Sequence, residues 1–416
     1  MIRAAVLGSI VLLLTACGGS ESPAPEAAAP PAAETAVANT PPALPPPPEL
    51  PAPPATPIPP PPRVDGRGFI LMDFASGQTL AASGENERMD PASLTKLMTS
   101  YVVFDALRVG KLKLEDTVTI SEHAWRVGGA GSDGSTSFLP IGSQVPVEIL
   151  LKGMIIQSGN DASIALAEHV AGSEETFAHL MNEYAKRLGM TGSNFANATG
   201  LPDPNEYTTP RDMALLAQAL VRDFPQYYHY YSEREFTYNR ITQRNRNGLL
   251  ARDPSVDGLK TGHTEAAGYC LVTSAQRNGM RLVAVVMGTP SIKAREDATA
   301  ALLNYGFGFY ETHRFHAAGE QLATARVWKG QTDSVQLALK TDLLLTVPRG
   351  QIGNIQTAID APPSMVAPVD PAAEAGRVRL TLEGRELGSR PLYPVTAVAE
   401  AGFFGRLVDS AKMWFE

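Results

Sequence analysis

Three short stretches of this chain have the residue types and spacing for acyl-transfer chemistry. In Ser93-Leu94-Thr95-Lys96 a hydroxyl and an amine three residues apart share one helical face. A serine hydroxyl is a poor nucleophile until a base takes its proton, and lysine becomes such a base once burial and a neighbouring cation lower its pKa. In Ser158-Gly159-Asn160 a turn presents a hydroxyl and an amide to one cleft. In Lys260-Thr261-Gly262-His263 a second cation and a hydroxyl precede a glycine whose missing side chain permits close approach of an extended ligand to the backbone. Each has a bland reading: Ser-x-x-Lys pairs arise by chance on helix surfaces, Ser-Gly-Asn is a plain turn, and a strand glycine marks a bulge.

The surrounding pattern places the three stretches on defined elements. An apolar run at 69–74, the turn Ala75-Ser76-Gly77-Gln78 and the run at 79–82 read as a hairpin. After Asp90-Pro91-Ala92, the apolar residues Leu94, Leu97, Met98, Tyr101, Val102 and Leu107 recur at helical spacing, which puts Ser93 in the first turn. Helical stretches at 147–156 and 162–170 flank Ser158-Gly159-Asn160. Runs at 269–272 and 282–287, joined through Asn278-Gly279, read as adjacent core strands and leave Lys260-Thr261-Gly262 on an edge strand. From about residue 317, short alternating runs at 325–328, 334–339, 343–347 and 378–382 predict a separate all-β domain.

Taken in order, the three stretches form the signature of serine penicillin-recognising enzymes. Over residues 65–416 the chain resembles the low-molecular-mass penicillin-binding proteins of the D-alanyl-D-alanine carboxypeptidase type, with further likeness at 245–250, 256–264 and 294–296. The resemblance implies an α/β (α+β) catalytic domain of the serine transpeptidase and β-lactamase kind, a smaller C-terminal all-β domain, and a terminal amphipathic helix. It also implies roles: Ser93 as nucleophile, Lys96 as its base and Ser158 as proton relay. Asn160, Lys260, Thr261 and Gly262 would bind substrate, with His263 supplying a backbone N–H to the oxyanion. Thr261 and Arg295 would take the terminal carboxylate. An alternative for Arg295 is a surface pair with Glu296 or Asp297. The family's substrate is the peptidoglycan stem peptide, β-lactams are its covalent inhibitors, and neither cofactor nor metal is implied. Thr199 stands where some relatives carry histidine.

Three rival functions remain open at this level. A β-lactamase of class A needs a glutamate to activate water for deacylation, and 194–199 contains no carboxylate. A D,D-endopeptidase differs in the group beyond the scissile bond. A non-enzymatic penicillin or peptidoglycan sensor would keep the acylation site.

Bulk properties bound the rest. With 416 residues and 44% apolar content the chain is long enough for two domains, and its net charge of −8 argues against a nucleic-acid partner. Cys17 and Cys270, the two cysteines, build neither a zinc site nor a disulfide framework. Arg3 followed by the apolar run 4–14 reads as an export signal over 1–17, too short to span a bilayer. Leu14-Thr15-Ala16-Cys17 resembles a lipobox, with Cys17 the lipidated residue; ordinary cleavage is the alternative. Residues 18–62 hold 18 of the chain's 34 prolines and few large apolar side chains, so they read as an extended spacer, reaching on the order of 100 Å. The catalytic domain is expected over 63–316 and the β domain over 317–400. Residues 401–416 form a wheel whose apolar residues, Met413 excepted, fall within about 140°, as in a helix lying on a membrane surface. Together these features predict an exported, membrane-associated protein of the cell envelope.

Overall fold

The computed structural model describes residues 58–129, 131–132 and 134–414. The expected signal with Cys17, and the proline-rich tract as far as residue 57, lie outside the described residues. The end of that tract is docked: Ile58 is half-buried against the apolar cluster that includes Leu302 and Tyr305, and Tyr305 Oη donates to the Pro59 carbonyl at 3.1 Å.

A five-stranded antiparallel sheet organises the catalytic part, in the order Thr79–Ser83, Gly68–Asp73, Met280–Thr289, Gly268–Arg277, Val256–Thr264. Its central strands are nearly continuous apolar runs because both faces are covered. Along Met280–Thr289 alternate side chains enter opposite cores: Val283, Val285 and Met287 pack with the main helical layer, while Leu282, Ala284 and Val286 pack against the helix Ile292–Phe309 through Leu302 and Leu303. The hairpin joining Gly268–Arg277 to Met280–Thr289 turns on Asn278 (φ 50°) and Gly279 (φ 82°), both left-handed as a two-residue loop that follows strand twist requires. Val256–Thr264 is consequently an edge strand, with one hydrogen-bonded neighbour.

At the centre of the helical layer lies Lys96–Arg108, buried on every side from Lys96 to Phe104. Asn160–Ala171, Glu174–Arg187 and Pro210–Asp223 surround it. The last has a sequence-legible start, since Thr209 Oγ1 accepts from Asp212 N at 3.1 Å and Pro210 occupies the first turn.

The C-terminal part is all β around one apolar core. A six-stranded sheet runs Gln356–Asp360, Gly376–Leu382, Arg385–Pro394, Ser334–Leu339, Gln321–Trp328, Ser364–Val366, and Tyr310–His316 pairs with Leu343–Pro348. Four of these strands escape the alternation test. Gln356–Asp360 is exposed throughout, Ser364–Val366 is short, and Arg385–Pro394 and Tyr310–His316 are mostly polar. Hydrogen bonding therefore places Tyr310–His316 with the β part, ahead of the expected start at 317.

A polar clasp joins the two parts. The buried Asp73 carboxylate accepts from Ser76 N and Thr312 Oγ1, both at 2.7 Å, and the Ser76 and Thr346 hydroxyls are 2.6 Å apart. The helix Phe403–Lys412 is tied to the β domain on its polar side, where Asp409 Oδ2 accepts from Lys329 N at 2.6 Å. Phe403, Phe404, Leu407, Val408 and Trp414 are left exposed.

Candidate active site

The turn that carries Ser93 is tighter than the sequence suggests. Ser93 lies in a 3₁₀ turn, Ala92–Thr95, and the α-helix proper starts at Lys96. The turn enters through Ala92 at φ 47°, a left-handed conformation uncommon for a residue with a side chain, and Asp90 Oδ1 accepts from Ala92 N at 3.1 Å. One turn on, Lys96 is 1% exposed. Its Nζ is 3.1 Å from Ser93 Oγ, 2.7 Å from Asn160 Oδ1 and 2.5 Å from the Thr199 carbonyl, donating to all three acceptors in this arrangement. Burial, reinforced by the Arg246 cation, lowers its pKa to about 7, although Asp161, Glu206 and Glu174 pull the other way.

A cleft of about 970 Å³ opens above this pair and is lined by Ser93, Ser158, Asn160, Thr261, Gly262, His263 and Arg295. Lys96 and Lys260 lie buried beside it. On one wall, a π-helical turn Gly153–Gln157 ends at Ser158, which takes the left-handed φ of 72° before the helix Asn160–Ala171 begins. The Ser158 hydroxyl is buried and has no hydrogen-bond partner among the described residues. Asn160 N donates to the Ser135 carbonyl at 2.8 Å, and Asp161 accepts from Ser137 N, Leu139 N and Thr136 Oγ1, which fastens the loop closing that end.

The opposite wall is the edge strand Val256–Thr264. At Gly262 a Cβ would lie 3.0 Å from the Pro91 carbonyl and 3.3 Å from Leu94 N. The Ser93 turn therefore packs closely against this glycine, which also lines the cleft. The buried Lys260 Nζ donates to the Thr261 carbonyl at 3.2 Å, and burial, then Lys96, Arg246 and Arg295, hold its pKa well below the ordinary lysine value. His263 is exposed, with its ring tilted over Tyr269 at 4.0 Å.

Arg295 does not make the surface pair that its neighbours suggest. Glu296 and Asp297 bond to Arg252, at 3.1 and 2.9 Å. Arg295 is instead 5% exposed; Nη2 donates to the Arg246 carbonyl at 3.4 Å and Nε has no partner among the described residues. A guanidinium held this way, beside Arg246 and Lys260, suits an incoming carboxylate.

Four residues in or behind the site were given no role from sequence. Arg246 lines the cleft, within a stretch noticed only for its family likeness. Thr199 acts through its carbonyl, so the identity of its side chain matters little to Lys96. Its loop, residues 196–201, is packed so closely against the Ser93 turn that a Cβ on Gly200 would lie 1.8 Å from the Ala92 carbonyl. Carboxylates absent from the loop's own sequence reach it through the fold: Glu206 accepts from Ala196 N at 2.6 Å, and Glu174 from Ala198 N at 3.0 Å. No local spacing signals such long-range partners.

Fold and site together define a class, the penicillin-recognising serine enzymes. Comparison with known proteins narrows it. Residues 55–291 match the family model described as D-alanyl-D-alanine carboxypeptidase, and residues 310–400 match the one described as penicillin-binding protein 5, C-terminal domain. D-alanyl-D-alanine carboxypeptidases DacC and DacA of Escherichia coli K12 are 46% and 43% identical to it over 357 residues, in both cases 85% of this chain and 89% of the relative. Penicillin-binding protein 5 of Haemophilus influenzae has a similar solved structure, with a TM-score of 0.78 and 42% identity across 82% of this chain and 99% of that one. Penicillin-binding protein 6B of Escherichia coli gives a TM-score of 0.68 at 35% identity, over 81% and 97%. The chain belongs to the D-alanyl-D-alanine carboxypeptidase family.

Proposed function

We infer that the protein is a serine D-alanyl-D-alanine carboxypeptidase that removes the terminal D-alanine from peptidoglycan pentapeptide stems through an acyl-enzyme on Ser93. The observation that carries this reading is the hydrogen-bond set of Lys96. A neutral amine has two N–H bonds and one lone pair. In the structure Nζ donates to Ser93 Oγ as well; once Lys96 is deprotonated, Asn160 Oδ1 and the Thr199 carbonyl, both pure acceptors, keep the two N–H bonds and the lone pair takes the position facing the Ser93 hydroxyl. With a pKa of about 7, the amine is neutral in a large fraction of molecules at neutral pH.

In this reading Ser93 Oγ attacks the carbonyl between the two D-alanines while its proton passes to Lys96. Backbone N–H groups of Ser93 and His263 hold the oxyanion. The unpartnered Ser158 hydroxyl relays the proton to the departing amine, free D-alanine leaves, and water activated by Lys96 hydrolyses the ester. Asn160 and the strand Lys260-Thr261-Gly262 bind the peptide, and Thr261, Arg295 and Arg246 receive the terminal carboxylate. A guanidinium that lines the cleft, is buried and leaves its Nε unpartnered among the described residues favours a substrate ending in a free carboxylate, hence carboxypeptidase over endopeptidase.

β-Lactams acylate the same serine in this account and are released slowly. Among the described cleft-lining residues the one carboxylate is Glu265, in the turn beyond His263, while Glu206 and Glu174 sit behind the 196–201 loop. The exposed Phe403, Phe404 and Leu407 of the helix Phe403–Lys412, with the lipid expected at Cys17, support reading this as an envelope protein held at a membrane surface. No helix among the described residues is long and apolar enough to cross a membrane.

The full-length protein in detergent should release D-alanine from diacetyl-Lys-D-Ala-D-Ala, and Ser93→Ala should abolish release. Release that survives Ser93→Ala removes the proposed nucleophile; no release by the wild type, with penicillin still forming an adduct on Ser93, points to the endopeptidase or the sensor.

A further inference from the structure

Glu206 is nearly fully buried, 5% exposed, yet forms no ion pair among the described residues. It follows the 196–201 loop in sequence and does not line the cleft. Its two oxygens have different tasks. Oε1 accepts from Thr95 Oγ1 at 2.5 Å, inside the Ser93–Lys96 turn, while Oε2 accepts from Ala196 N at 2.6 Å and Asn197 N at 3.3 Å. The segment so gripped is stiff. Asn197 Oδ1 accepts from Thr199 N, Thr199 Oγ1 and Gly200 N at 2.7–3.0 Å, so fixing Asn197 fixes the direction of the next carbonyls. Thr99 Oγ1 donates to the Ala198 carbonyl at 2.7 Å, and the Thr199 carbonyl receives Lys96 Nζ.

We propose that Glu206 is a positioning residue for the Ser93–Lys96 pair: its carboxylate clasps the nucleophile turn, through Thr95, to the loop whose Thr199 carbonyl aims the Lys96 lone pair at Ser93. This rests on the reading of Ser93 as nucleophile and Lys96 as base. Glu206 touches neither substrate nor reacting atoms. Its effect passes through two short polar links, and loss of either lets Lys96 rotate within a site where misplacement by about 1 Å costs on the order of 10²-fold in rate.

The clasp also carries charge. Burial, with some help from Asp90, raises the Glu206 pKa to about 7, opposed by the hydrogen bonds from Thr95, Ala196 and Asn197. In its ionised form Glu206 favours protonated Lys96, as do Asp161 and Glu174, against Arg246. Geometry and field are separable by substitution. Glutamine can accept from Ala196 and Asn197 and donate to Thr95 without the charge, whereas alanine loses both.

The test uses the full-length enzyme with diacetyl-Lys-D-Ala-D-Ala across pH 5–10, beside wild type and Ser93→Ala, with folding followed by circular dichroism. Glu206→Ala should lower kcat by about 10²-fold, with KM within about threefold of wild type. Glu206→Gln should restore plateau kcat to within about threefold and move the rising limb of the pH profile to lower pH. Ser93-dependent release by wild type, together with a folded Glu206→Ala of unchanged kcat, overturns the clasp and leaves the catalytic reading intact. Should Glu206→Ala not fold, a Glu206→Gln limb that coincides with wild type overturns the coupling. Activity that ignores Ser93→Ala overturns the reading beneath it.

Discussion

Replacing Arg246 with glutamine should move the pH at which the enzyme becomes active. Arg246 lines the cleft, and its charge stands second only to burial among the causes that bring Lys96 down to a pKa of about 7. Removing a cation raises the pKa of a neighbouring amine, so the rising limb of kcat/KM must shift to higher pH. Across a partly solvated site with an effective dielectric near 20, such a charge is worth on the order of 1–2 kcal/mol, or roughly one pH unit. With the pKa at about 7, half of the Lys96 side chains are neutral at pH 7. One unit higher leaves about one in eleven, so kcat/KM at pH 7 falls roughly fivefold for this reason alone. Any lost contact with the substrate carboxylate lowers the profile at every pH and is distinguishable from displacement along the pH axis. The groups that oppose Arg246, namely Asp161, Glu206 and Glu174, are unchanged by the substitution. Arg246→Lys keeps the charge and should keep the limb. The assay is D-alanine release against pH for the three proteins at subsaturating substrate. An Arg246→Gln limb within about 0.2 unit of wild type would refute the assignment of Lys96 as a base tuned by this cation.

Arg295→Gln should reduce kcat/KM for the free-acid peptide by about 10- to 100-fold, from the loss of a charge-assisted hydrogen bond of about 1.5–3 kcal/mol, while turnover of the C-terminal amide changes little. An equal loss for both peptides would remove the carboxylate role. Deletion of residues 401–416 should abolish sedimentation of a protein carrying Cys17→Ser with phospholipid vesicles and leave D-alanine release unchanged. Added salt should weaken the binding only slightly, since Arg406 pairs with Glu400 and the exposed face is apolar. Binding that survives the deletion excludes the helix as the anchor.

The sequence by itself carried those features whose information is local. Hairpin turns announced themselves through Asn278-Gly279, the buried strands through continuous apolar runs, and the helix after Pro91 through its periodic leucines and valines. The three motifs were visible because each packs its chemistry into three or four consecutive residues. Polar strands such as Gln356–Asp360 and Tyr310–His316 were not visible, because backbone pairing with distant partners, rather than side-chain pattern, makes them strands. Nothing in the sequence said whether Arg295 would face Glu296 or the cleft. Tertiary structure decided it by giving both acidic neighbours to Arg252. The same holds for Lys96. Lysine at position 96 is written in the sequence, but its pKa of about 7 comes from burial and from Arg246, 150 positions away. Its buried hydrogen-bond partners, Asn160 and the Thr199 carbonyl, are groups that only the fold brings to it. Residue type is local, whereas desolvation and long-range electrostatic fields belong to the assembled molecule, and that is why the chemistry could be named from the chain while its tuning could not.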